Sequence, residues 1–266
     1  MHDYHIHSNF STDSQMSMEA ACEKAIDIGL TDIAFTDHVD FDYPNFDDSF
    51  MIDYHEYRIA LQKVREKYQD KLTIAFGVEI GLQPHVHQET LNLLNEHPFD
   101  FIILSTHVID HLDMHVGDFC AGKTREQSYE RYLKEVYDSV SSFDKYSVYG
   151  HLDLIRRYGG YTDNFFRPGE FDDLLNSILK KIIESGHGIE INTSGFRYGL
   201  GTPMPTLDIL KKYKELGGEL ITIGSDAHSP EYIGHGFDYA LDMLRCAGFR
   251  YIANFKQLNP IYVPID

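Results

Sequence analysis

Positive charge is scarce in this chain of 266 residues: 23 lysines and arginines stand against 42 aspartates and glutamates, a formal charge of −19. So acidic a surface repels nucleic-acid phosphates and anionic membranes, which argues against a non-specific nucleic-acid or membrane binder. Cysteine is scarcer still. Cys22, Cys120 and Cys246 are scattered, with no Cys-x-x-Cys pair, which argues against a disulfide framework or thiolate zinc site and for a reducing compartment. No apolar run is long enough to span a bilayer and no basic-then-apolar leader opens the sequence, so a cytoplasmic protein is expected. Nucleophile signatures are missing too. There is no Gly-x-Ser-x-Gly and no glycine-rich phosphate loop ending in Lys-Ser/Thr, and Cys120 lacks the arginine spacing of cysteine phosphatases. Without internal repeats, low-complexity tracts or linker-like shifts in composition, residues 1–266 read as one domain.

What is present is a sizeable potential core, with 42% hydrophobic and 13% aromatic residues, and 15 histidines. Periodicity predicts strands at about His2–His7, Asp32–Thr36, Leu72–Val78, Phe99–Leu104, Tyr146–Tyr149, His187–Ile191 and Leu220–Ile223. Helical patterns follow them. Ser17 caps Met18, Ala21, Cys22, Ala25 and Ile28, with Gly29 closing the helix; Asp53 with Glu56, and Thr124 with Gln127, make capping-box starts. Further helices are expected at about 86–96, 168–185, 206–216 and 237–246, then a short tail. Strict alternation of β and α means a parallel sheet covered by helices, either a barrel or an open doubly wound sheet. In both, ligands gather at the carboxyl ends of the strands. A barrel is favoured, because only there do the ends of the first and seventh strands meet.

Those ends carry the chemistry. His5-Ile6-His7 places two imidazoles on one face of the first strand. Asp37-His38, Glu79, His107, His151 and Asp226-Ala227-His228 each follow an apolar strand. A lone His-x-His arises readily by chance, but repetition at successive strand ends is hard to explain without a cluster of divalent metal ions held by imidazole nitrogen and carboxylate oxygen. Other histidines read as ordinary. His85-x-His87 follows Pro84 at a helix start and is expected at the surface, while His111 and His115 lie in a polar loop suited to substrate contact or solvent. His2, His55, His97, His187 and His235 show no partner pattern.

The motifs His-Ile-His-Ser-Asn-Phe-Ser, Thr-Asp-His, Gly-Val-Glu-Ile-Gly, Ser-Thr-His, Gly-His-Leu-Asp and Gly-Ser-Asp-Ala-His, in this order over residues 2–235, resemble those of the polymerase-and-histidinol-phosphatase (PHP) superfamily. The resemblance implies an α/β fold, a distorted (βα)7 TIM-like barrel, and two or three divalent ions: zinc, manganese or iron. One ion would be held by His5, His7, Glu79 and Asp226. Glu79 would bridge to a second, bound also by His107 and His151. A third would take His38, His228 and Asp13, where many relatives carry histidine; Asp37 would support its neighbour.

Metal-activated water is then the expected nucleophile, with Asp226 taking its proton. A phosphate ester also needs cations for its non-bridging oxygens. Arg197, and one of Arg156 and Arg157, follow strand ends and are candidates, with His115 a further substrate contact. Chain length and the His-Ser-Asn-Phe-Ser-Thr-Asp variant resemble the stand-alone phosphatases of the superfamily. That implies hydrolysis of L-histidinol phosphate, a step of histidine biosynthesis, with the loops Asp40–Phe50 and Asp110–Phe119 receiving its imidazole and ammonium. Two alternatives stay open: a phosphoesterase acting on another small ester, nucleotides or DNA ends, and a metal-binding scaffold without activity.

Overall fold

The computed structural model describes residues 1–44, 50–167 and 169–265. Residues 45–49 of the expected substrate loop, and Pro168 at an expected helix start, lie outside them. The first half of the chain forms β1 (His2–Ile6), α1 (Met18–Asp27), β2 (Asp32–Phe35), β3 (His38–Val39), α2 (Tyr54–Tyr68), β4 (Thr73–Gly81), α3 (His87–Glu96) and β5 (Phe101–Ser105). There follow a small hairpin of β6 (Val108–Ile109) and β7 (Leu112–Asp113), then α4 (Arg125–Ser142), β8 (Val148–Tyr149) and α5 (Asp172–Glu184). The chain ends with β9 (Gly188–Asn192), α6 (Leu207–Glu215), β10 (Ile221–Gly224), α7 (Phe237–Cys246), β11 (Tyr251–Lys256) and β12 (Asn259–Pro264).

Seven parallel strands run in the order β1-β2-β4-β5-β8-β9-β10, with β3 added onto β4. The circle closes where Ile6 bridges Ala227 and the His7 amide donates to Ala227 O at 2.9 Å. This is the distorted (βα)7 barrel expected from the motif order, and its closure sets His5 and His7 beside Asp226. The ladder is irregular between Asp3 and Ile6 of β1. Asp3 is wholly buried there and accepts from the amides of Ser225 at 2.9 Å and Gly234 at 3.0 Å, tying the first strand to the loop after the seventh. Burial raises its pKa to about 6, against the pull of those donors.

The helices start where their caps say. Ser17 accepts from the Ala20 amide, Asp53 from those of His55 and Glu56, and Thr124 and Gln127 satisfy each other's amides reciprocally. Each buries one stripe against the barrel; in α4 these residues include Tyr129, Tyr132, Leu133, Val136 and Val140. No described helix is long and apolar enough to cross a membrane.

Three features depart from the sequence reading. β4 runs on through Glu79 to Gly81, pairing there with β5 on one side, while β3 pairs with Glu79 and Ile80 on the other and sets His38 opposite Glu79. α5 starts at Asp172, four residues later than expected. The expected tail is a hairpin: Ala253 and Phe255 of β11 pack with Tyr4, Phe101, Val148 and Leu220, plugging the amino end of the barrel.

Candidate metal centre

At the opposite end of the barrel a cavity of about 550 Å³ has the strand ends as its floor. Glu79, wholly buried on β4, is the centre of the floor. Its Oε2 lies 3.1 Å from His5 Nε2, 3.5 Å from His7 Nε2 and 3.1 Å from His38 Nδ1. Its Oε1 lies 2.9 Å from His151 Nε2 and 3.3 Å from His107 Nε2, and accepts from Ser105 Oγ at 2.7 Å. One carboxylate thus faces five imidazoles from four segments, since His5 and His7 share the first strand. Asp226 joins on the β10 side, with Oδ1 3.5 Å from His7 Nε2 and 3.4 Å from His228 Nδ1. Asp13 Oδ2 lies 3.1 Å from His228 Nε2 and 3.7 Å from His38 Nε2, so these three residues form a distinct, more open group. All nine candidate ligands therefore converge on one floor.

Donor atoms bound at about 2.0–2.1 Å in a tetrahedral site stand roughly 3.3 Å apart. The separations around Glu79 straddle that value. His7 Nε2 and His38 Nδ1 are buried without a hydrogen-bond partner among the described residues, which is costly unless something else meets them. The residues present therefore fit divalent ions, and imidazole with carboxylate favours zinc and its neighbours over magnesium or calcium.

Neighbouring groups fix which nitrogen of each ring faces the floor. His5 donates from Nδ1 to Glu190 Oε1 at 2.6 Å, leaving Nε2 toward Glu79. His107 donates from Nδ1 to Asp40 Oδ1 at 2.8 Å. Ser11 donates to Asp37 at 2.9 Å, so its oxygen is left to accept from the His38 amide at 3.0 Å and from His7 Nδ1 at 3.1 Å. Asp37 thus acts through Ser11, and its carboxyl also takes the Ser8 amide and hydroxyl. Such hydrogen bonds fix tautomer and ring orientation in metal sites. Glycine makes two of them possible. A Cβ on Gly81 would overlap Asp40 Oδ1 and crowd His107, and one on Gly224 would strike Glu190 and His5.

The electrostatics are tightly coupled. Burial opposes charge on Glu79, yet the imidazoles of His5, His38 and His107 outweigh it and hold this carboxyl well below the usual range. Asp226 is likewise held low against its burial, by His7, His5 and His228, and Asp13 by His38 and His228. His5 is raised, since Glu190 and Glu79 overcome desolvation, and His107 is raised by Asp40 and Glu79 in the same way. His7 moves down, through burial and the nearby His228 and His38. Asp226 holds a left-handed φ of 53°, which aspartate tolerates better than most residues, with its carbonyl taken by Arg197 at 2.7 Å.

The arginines separate. Arg157 and Arg197 line the cavity, Arg157 Nη1 3.7 Å from Asp226 Oδ2 with its guanidinium 3.4 Å over the Tyr198 ring. Arg156, the other candidate for phosphate, is not there. It is buried outside the cavity lining, bonded to Asp153 at 3.0 Å and to the carbonyls of Asn164 and Pro203. His115 lines the cavity wall, as do Tyr43, Asp113 and Tyr158. Glu190 had no assigned role from sequence, and Asp40 was expected only as part of the substrate loop, not as the partner of His107. For Glu190 the available signal was an acid between isoleucines in a strand, a residue too costly to bury without partners.

A family model described as PHP domain matches residues 3–194. The chain belongs to the PHP family. It is 34% identical over 258 residues to the histidinol-phosphatase of Lactococcus lactis, covering 97% of this chain and 95% of that one. A probable histidinol-phosphatase of Clostridium acetobutylicum is 31% identical over 243 residues, 91% of each chain. Among solved structures, the Lactococcus lactis histidinol phosphate phosphatase, complexed with zinc, L-histidinol and phosphate, superposes with a TM-score of 0.91 at 33% identity over 98% of both chains. The fold and the metal floor of this PHP protein thus stand beside relatives whose names agree with the motifs.

Proposed function

We propose that this PHP protein is a metal-dependent phosphomonoesterase that hydrolyses L-histidinol phosphate to L-histidinol and phosphate, in histidine biosynthesis. The observation that carries the proposal is the buried floor of imidazoles and carboxylates beneath two cavity arginines, in a chain so similar to a phosphatase solved with zinc, L-histidinol and phosphate. Zinc suits the donors, and manganese or iron would be accepted by the same set. His5, His7, Glu79 and Asp226 would hold one ion, Glu79, His107 and His151 a second, and Asp13, His38 and His228 a third.

Bound there, divalent ions lower the pKa of water toward neutrality and offset charge on phosphoryl oxygens. The protein's own groups supply the rest. Asp226, held ionised by the imidazoles around it, would take the proton of the attacking water at its carboxylate. Arg157 and Arg197 converge on Asp226 from the cavity side and offer guanidinium forks to the phosphate. Asp113, His115, Tyr43 and Tyr158 form the wall that would receive the imidazole and ammonium of the substrate. The acidic surface and the few cysteines support a cytoplasmic setting for a small soluble substrate. Phosphate release from L-histidinol phosphate, other phosphomonoesters and oligonucleotides tests the proposal. Selective turnover of the first is expected; equal or better turnover of nucleotides or oligonucleotides would overturn it.

A further inference from the structure

A second group of candidate metal ligands stands apart from the floor. Asp42, His85 and His111 arrive from three separate segments. His85 Nε2 lies 2.8 Å and His111 Nδ1 3.7 Å from the same oxygen, Asp42 Oδ2, and the two rings are 4.7 Å apart. We propose that Asp42, His85 and His111 form an additional, solvent-exposed site for zinc or another borderline transition-metal ion.

The two separations bracket the roughly 3.3 Å expected between ligands of one tetrahedral ion. A hydrogen bond from His85 Nε2 accounts for the 2.8 Å contact by itself; a shared ion would also account for His111 turning its Nδ1 toward the same oxygen at 3.7 Å. Two imidazoles and one carboxylate suit zinc, cobalt or nickel rather than magnesium or calcium, which prefer all-oxygen sets. Three protein ligands leave a position open to water.

The three residues are held before any ion arrives. Buried Gln83 donates to the carbonyls of Phe41 at 2.8 Å and Asp42 at 3.1 Å, and stands two residues before His85, so it fixes Asp42 against the His85 segment. His111 sits at the tip of the β6–β7 hairpin, where Asp110 and His111 have φ of 55° and 58°. Positive φ at both central residues is the tight hairpin turn that matches strand twist. Arg131 grips the neighbouring Asp110 carboxylate at 2.7 and 3.2 Å, which steadies the tip. A cation here would join the loop after β3 to this hairpin. Those segments give the cavity Tyr43 and Asp113, and Asp40, which orients His107, lies two residues from Asp42. With side-chain exposures of 43%, 62% and 69%, the site would exchange its ion with solvent and fill only after the buried floor.

The site does not depend on which ester the protein hydrolyses, so its test reads metal rather than turnover. Wild type, H85A/H111A and D42N, each with the floor loaded, are dialysed against stepped concentrations of free zinc, and bound zinc per chain is measured. Wild type should take up one further saturable equivalent that both variants lack, and its melting temperature should rise over the same zinc range while theirs stay flat. Equal uptake in all three proteins, or extra uptake that never saturates, would overturn the site. D42N preserves shape and the backbone bonds from Gln83, so it decides the matter if the double variant fails to fold.

Discussion

Replacing Glu190 by glutamine should weaken zinc binding by roughly 10- to 100-fold and leave the barrel folded. Glu190 lies on β9, and its Oε1 takes the Nδ1 proton of His5 at 2.6 Å. Its Oε2 takes the His151 amide at 2.9 Å and the Asn192 side-chain amide at 3.1 Å. Glutamine keeps the size but only one acceptor oxygen. If that oxygen stays on His5, the new NH2 group faces two donors. If it turns round, His5 loses its acceptor, and a proton can move to the Nε2 that must face Glu79 and the ion. Either way at least one charge-assisted hydrogen bond is lost, about 1.5–3 kcal/mol, which at about 1.4 kcal/mol per tenfold agrees with the range above. The assay is competition with a chromophoric zinc chelator, with kcat/KM followed against free zinc and a thermal melt as control. The activity curve should shift to higher free zinc. Wild-type zinc affinity together with wild-type kcat/KM would refute the role of Glu190.

Other substitutions and conditions read different parts of the site. Asp226→Asn keeps the left-handed backbone that asparagine also tolerates and should retain the fold while lowering kcat by roughly 10²- to 10⁴-fold; full activity with unchanged metal content contradicts the assignment. Arg157→Ala should cost roughly 10- to 100-fold in kcat/KM with little change in melting temperature, whereas Arg156→Ala strands the buried Asp153 and should cost about 3–5 kcal/mol of stability; chemical denaturation and steady-state kinetics separate the two, and the reverse pattern would exchange their roles. For chelated protein, the depressed Glu79, Asp226 and Asp13 contribute stability above the ordinary carboxylate range and lose it as pH falls through their lowered values. The raised His5 and His107 contribute fully below about 6.5 and lose it as pH rises through their raised values. Calorimetry should therefore show the chelated protein melting lower as pH rises above neutrality and the zinc-loaded protein holding, since zinc takes the place of those protons; a flat profile for the chelated protein would contradict the coupling.

Much of this was legible because single residues carried local physics. Ser17, Asp53 and Thr124 mark helix starts by the amides they satisfy, and the candidate ligands sit at strand ends because a closed parallel barrel puts them there. What escaped has no local signal. The β11–β12 hairpin turns at Gln257 and Leu258, with φ of 50° and 62°, without the Asn-Gly or Asp-Gly pair that announces such a turn. β3 is only two residues long and exists because β4 lies beside it. Arg156 and Arg157 are adjacent on one short turn, Leu154–Arg157, and only the packing of that turn sends one into the cavity and the other to Asp153. Likewise Asp42, His85 and His111 are far apart in sequence, and a tertiary contact brings them together.

The central claim is that the floor around Glu79 holds the ions on which phosphate release depends. The most direct measurement strips the protein with a chelator, verifies metal content by mass spectrometry, and follows phosphate release from L-histidinol phosphate as zinc is returned stepwise. Activity should vanish with the metal and return in proportion to zinc, saturating at two or three equivalents per chain. Undiminished turnover by protein shown to be metal-free would contradict the account.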